Sequence, residues 1–195
     1  KMYNYKQVCL VNIVYELGMG GNFLAHTLTN TCLQSVNRKL DKSITYTEEN
    51  NEYLKTCFYP VLDRMHTWEV NPVDYAKLRT SKNIVINCNP EFFTKVYNLG
   101  RYKNRYRRNE NVTELPLDVD MTEYHDFQQG VRELFPNQEY FEIDYEELFL
   151  DINNNKIQEM LDYICFPIEM TNEIARQIQK YSNENIKIFK KMGYD

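Results

Sequence analysis

The stretch that most constrains the fold is Val8-Cys-Leu-Val-Asn-Ile-Val-Tyr15, followed by Glu16-Leu-Gly-Met-Gly-Gly-Asn-Phe-Leu-Ala-His-Thr-Leu28. The apolar, β-branched run predicts a buried strand, and Gly18, Gly20 and Gly21 predict a tight turn. Asn22 is placed to cap a helix begun by Phe23, Leu24, Thr27 and Leu28. Such a unit gathers backbone N–H groups at a helix start, and glycine lets a phosphate or sulfate approach them closely. The same glycines also suit a tight turn that binds nothing.

The helix should run from about Phe23 to Leu40, because Leu24, Leu28, Cys32 and Val36 recur at helical spacing. Tyr46 to Tyr59 is mixed, with a helix start at Thr47 and a stop at Pro60. Val61 to Trp68 reads as a short strand carrying His66 toward its end, and Pro72 to Leu78 as a small helix with proline in its first turn. Lys82 to Cys88 is the clearest second core strand, and Asn89-Pro90 opens a long helix to about Arg108. This repeats the layout of the opening unit.

Asn109 to Met121 is a polar, acidic loop. Thr122 to Phe135 predicts a helix, Tyr140 to Asp144 a strand, and Asn153 to Ile164 and Asn172 to Lys191 two further helices. Ile157, Met160, Leu161 and Ile164 mark the apolar face of one, and Ile174, Ile178, Tyr181, Ile186 and Phe189 that of the other. Strands alternating with helices predict an α/β fold, a three-layer α/β/α domain with a central parallel sheet of the P-loop nucleotide-binding type. With no repeat or linker, residues 1–195 read as one domain.

Charge and cysteine content narrow the partners. A net charge of −5 argues against a nucleic-acid surface and requires any anion site to be local. The five cysteines, Cys9, Cys32, Cys57, Cys88 and Cys165, form no CxxC pair and mostly lie in apolar runs, as reduced thiols of a cytoplasmic protein do. No run has membrane-spanning length, so no membrane partner is expected. His26 and His125 lack a partner at metal-ligand spacing, and no metal is expected.

A magnesium-dependent ATPase loop needs Lys-Ser/Thr after its last glycine, and here Asn22 and Phe23 follow Gly21. The missing lysine also counts against a nucleotide or nucleoside kinase. A dinucleotide fingerprint would place glycine where Phe23 stands.

The succession of glycine loop, helix, histidine, strand ending in x-x-Pro, and strand leading into Tyr145-Glu-Glu-Leu148 resembles the cytosolic-type sulfotransferases and their bacterial and viral relatives. In that family a Pro-Lys/Arg-Ser-Gly-Thr-Thr-x-Leu turn holds the phosphosulfate of phosphoadenosine phosphosulfate (PAPS), and Leu17-Gly-Met-Gly-Gly-Asn-Phe-Leu24 falls on it. The resemblance therefore implies a PAPS cofactor contacted by Gly18, Met19, Gly20, Gly21, Asn22 and Phe23. Cys88-Asn89-Pro90 and Val96 fall on the family's second anchor, an Arg-x-Pro with a following serine that grips the ribose phosphate. His66 falls on its catalytic base. The implied activity is sulfuryl transfer to a hydroxyl or amine of a small-molecule or glycan acceptor, whose identity the sequence leaves open.

The departures are specific. Gly18 replaces the family's Lys or Arg, Met19, Gly21 and Asn22 its hydroxyl residues, and Cys88 and Val96 its second-anchor Arg and Ser. The loop keeps its backbone donors and loses its charge. Candidate replacement cations are Lys95, Arg64 and the run Arg101, Lys103, Arg105, Arg107 and Arg108, which reads equally as a solvated basic face. Likewise Glu146 and Glu147 read as capping or ion-pairing residues, and Trp68 as acceptor-pocket lining or core. The alternative to an enzyme is a non-catalytic descendant of the fold that binds a partner or another anion.

Overall fold

The computed structural model describes residues 11–16, 18–34, 62–65, 82–107, 118–137, 139–166 and 171–194. The opening strand, β1, covers Val11–Val14, and helix α1 covers Gly21–Gln34. Leu62–Met65 is β2, Lys82–Asn87 is β3 and Pro90–Arg107 is α2. Thr122–Leu134 forms α3, Phe141–Asp144 forms β4, and Tyr145–Phe149 is a short helix, α4. Asn154–Tyr163 is α5 and Thr171–Lys191 is α6. The helices expected around residues 47–59 and 72–78 lie outside the described residues, as do residues 8–10 and 35–40 of the first unit and residues 66–68 of the second strand.

The strands pair in the order β2-β1-β3-β4, every pair parallel, with Val11 opposite both Leu62 and Lys82, and Ile84 opposite Phe141. Burial on both faces explains why β3 reads as an unbroken apolar run: Ile84, Val85 and Ile86 are all buried. On one face, Phe127 and Val131 of α3 border Val85. Across the other, the rings of Tyr163 in α5 and Phe141 in β4 lie 5.7 Å apart.

After β1 the chain goes to β2 on one side, then returns to β3 on the other. The loops after β1 and β3 therefore diverge at a topological switch point, where the carboxyl ends of parallel strands open a crevice for a ligand.

Two positions on α6 differ from the expected apolar stripe. Ser182 and Asn185 are fully buried, whereas Tyr181 and Ile186 are only partly so. Asn185 is drawn inward by polar partners: its side-chain oxygen accepts from the Lys103 ammonium, and its amide donates to the Tyr145 hydroxyl at 3.0 Å.

Helices α5 and α6 end in the same way. The N–H groups of Cys165 and Phe166 donate to Asp162 and Leu161, and those of Gly193 and Tyr194 to Lys190 and Phe189. Both patterns are Schellman motifs, which require a left-handed residue. Glycine supplies it in α6 (φ 80°), but in α5 Cys165 adopts it at φ 56°. A side chain in that region costs about 1–2 kcal/mol, partly recovered through the less flexible unfolded chain. Gly193→Ala should therefore lower stability by about 1 kcal/mol, while Cys165→Gly should leave it unchanged or raise it by up to about 1 kcal/mol. Urea denaturation of each variant beside the native chain reads both signs.

Candidate functional site

The glycine loop leaves β1 at the switch point, and each of its glycines meets a different wall. A Cβ on Gly18, at φ 87°, would lie 2.1 Å from the Val96 carbonyl oxygen and 3.1 Å from the Gly100 nitrogen of α2. On Gly20, at φ 75°, it would strike the Phe149 ring at 2.6 Å, and on Gly21 the Tyr15 ring at 2.1 Å. Met19 is fully buried, and its sulfur accepts from the Glu16 N–H at 3.3 Å. The Met19 N–H in turn donates to the Glu16 carbonyl.

Helix α1 begins two residues before the expected Phe23. Its first bond runs from the Leu24 N–H to the Gly20 carbonyl, so Gly20, and not Asn22, occupies the cap position. Asn22 sits in the first turn, where its side-chain oxygen accepts from the Tyr15 hydroxyl. The N–H groups of Gly20, Gly21 and Phe23 have no hydrogen-bond partner among the described residues. They converge at the positive end of α1, an arrangement that favours an anion.

The start of α2, after the neighbouring strand β3, is closed. The Asn89 N–H donates to Glu146 Oε1 at 3.0 Å, the Glu91 N–H to the Asn89 side chain at 3.1 Å, and the Phe92 N–H to the Asn89 carbonyl at 2.9 Å. Pro90 has no N–H to offer. Glu146 enters from the β4–α4 junction, a contact that its sequence neighbourhood does not reveal. Its other oxygen, Oε2, is buried without a hydrogen-bond partner.

Burial raises the carboxyl pKa of Glu146, against the lowering effect of its backbone hydrogen bonds. Burial and the nearby Glu146 carboxylate push the Cys88 thiol far up, so this thiol stays protonated and inert. Asp144 is also raised, first by burial and then by Glu147 and Glu142, with Lys156 opposing.

The remaining candidates are dispersed. Val96 is fully buried and, with Cys88, presents no cation at the second anchor. The Lys95 ammonium lies over the rings of Phe92 (5.3 Å) and Tyr194 (5.6 Å). Arg101 donates to the Tyr97 hydroxyl at 2.8 Å, and Lys103 lies 4.1 Å over the Tyr181 ring. Arg64 is in β2 opposite Ile13. His66, Trp68 and Arg108 lie outside the described residues. Glu147 accepts from the side-chain amide of Asn153, the residue that caps α5, at 3.1 Å.

Among the described residues, no group of His, Cys, Asp or Glu has the makings of a metal site, and no helix is long and apolar enough to cross a membrane.

No protein-family model and no curated protein matches the chain. Among solved structures, a mouse sulfotransferase, SULT7A1, crystallised in complex with PAP, is similar over 89% of this chain and 65% of its own, at 17% identity and a TM-score of 0.47. At that level the likeness carries no statement about individual site residues.

Two measurements probe this geometry. Gly18→Ala should lower stability well beyond the roughly 1 kcal/mol of Gly193→Ala, because only Gly18 also faces a backbone wall. Asp144 has a raised folded-state pKa, so its contribution to stability is full below the unfolded value and is lost as pH rises through the folded one. It makes no side-chain cap bond that asparagine would lose. Asp144→Asn should therefore melt higher than the native chain at pH 7, with the gap closing below roughly pH 4.

Proposed function

We propose that the chain is a sulfotransferase-like domain that moves a sulfuryl group from a phosphoadenosine phosphosulfate-type nucleotide to a hydroxyl or amine acceptor. The observation that carries this reading is the set of open donors on Gly20, Gly21 and Phe23, in a loop at the switch point of a parallel sheet. They suit a tetrahedral anion and need no lysine or metal. The nucleotide supplies an activated sulfuryl group. The backbone N–H groups of the loop stabilise charge on that group's oxygens, and His66 takes the proton from the acceptor.

A second reading, a non-catalytic descendant that binds a partner or another anion, is favoured by a different observation. Lys95, Arg101 and Lys103 each lie over an aromatic ring, and Gly18, Cys88 and Val96 supply no charge at the positions of the two anchors.

Adenosine 3′,5′-bisphosphate, the spent form of the nucleotide, separates the two. At a hundredfold excess over its Kd it should add about 2.7 kcal/mol, a rise in Tm of roughly 5–10 °C. No rise at millimolar concentration would sink the sulfotransferase reading, and a rise with ATP and magnesium alone would favour a kinase. His66→Ala should reduce transfer by about a hundredfold or more while preserving the nucleotide-induced shift. Loss of both would make His66 structural.

A further inference from the structure

Two helix starts flank the switch point, and they differ in one respect. At α1 the donors of Gly20, Gly21 and Phe23 are open, whereas at α2 each N–H from Asn89 to Phe92 already has an acceptor within the chain. The acceptor for Asn89 is a carboxylate with its second oxygen buried and unpaired. Glu142, Asp144 and Glu147 stand nearby on the same strand and helix, and the neighbouring thiol of Cys88 is neutral. Strands β1 and β3 are direct neighbours, about 5 Å apart.

We infer that Glu146 is a specificity-determining residue: its carboxylate fills the anion position at the start of α2, so the site holds a nucleotide by one anionic arm, on the glycine loop, and gives a phosphate on the ribose no hold. The inference rests on the proposed function and sharpens it. The ribose phosphate of the nucleotide therefore adds nothing to its affinity, because a phosphate brought to Asn89 meets a negative charge and finds no free donor. Neutralising Glu146 removes that repulsion, and glutamine keeps an oxygen to accept from the Asn89 N–H.

The test compares binding of adenosine 5′-phosphate and adenosine 3′,5′-bisphosphate by calorimetry, first to the native chain and then to Glu146→Gln. In the native chain the bisphosphate should bind no tighter than the monophosphate. This arm needs no variant and holds whether or not the glutamine chain folds. In Glu146→Gln the bisphosphate should gain about tenfold, as expected for removing one like-charge contact, while the monophosphate changes little. A bisphosphate that binds the native chain ten times more tightly, or gains nothing in a folded Glu146→Gln, overturns the assignment of Glu146 and leaves the loop as the nucleotide site. If neither nucleotide binds either protein, the sulfotransferase reading falls, and the inference with it.

Discussion

Gly18 approaches the backbone of α2 so closely that a single methyl group would overlap the Val96 carbonyl. That contact joins the loop after β1 to the helix after β3, and the rest of the site depends on it. It sets the path of the loop, and Phe149 and Tyr15 complete the confinement at Gly20 and Gly21. Phe149 belongs to an aromatic group that includes Tyr181 and Phe23, the last two stacked at 3.9 Å with planes 8° apart. Helix α6 therefore presses on the first turn of α1 through Phe23. A loop walled in this way holds its donors in fixed directions before any ligand arrives, which lowers the ordering cost of binding.

The cations of this chain serve a different purpose from the one their sequence positions suggest. Lys82 lies over Tyr163, Lys95 over Phe92 and Tyr194, Arg101 over Tyr97, Lys103 over Tyr181, and Lys156 over Phe141. With 16 tyrosines and 10 phenylalanines in the chain, a ring is often within reach of an amphipathic basic side chain. Each such contact contributes about 0.5–1 kcal/mol at an exposed site. Two of these contacts, Lys82 to Tyr163 and Lys156 to Phe141, join α5 to the sheet, Lys103 to Tyr181 joins α2 to α6, and Lys95 to Phe92 and Arg101 to Tyr97 lie within α2.

Much of the scaffold was legible in the sequence because its signals are local. The apolar run of β3, the turn at Asn89-Pro90 and the 3.6-residue periodicity of α5 each fix an element without help from the rest of the chain. The site was legible only in part. Three glycines announced a loop, yet their partners, Val96, Phe149 and Tyr15, are chosen by packing over long sequence distances. Asn22 looked like a cap because its type favours one, but the helix starts at Gly21, and Asn22 accepts from the hydroxyl of Tyr15, whose ring lies against Gly21. Ser182 and Asn185 lie outside the apolar stripe read from the sequence, and the pairing of Asn185 with Tyr145 and Lys103 exists only once α2, α4 and α6 have met.

Glu146 gives the clearest case of a role set by tertiary structure. Sequence placed it at a strand end, where a carboxylate ordinarily caps its own helix. The parallel register of β3 and β4, with Asn87 opposite Asp144, instead carries it to the start of the neighbouring helix. There it completes a set of bonds in which Asn89, Pro90, Glu91 and Phe92 leave no donor unused. A buried carboxylate oxygen without a partner is costly, and charge-assisted bonds of about 1.5–3 kcal/mol offset such costs only where they form. The bond to the Asn89 N–H offsets part of that cost. The fold thus holds two helix starts side by side with opposite character, one ready for a foreign anion and one already satisfied by the chain's own.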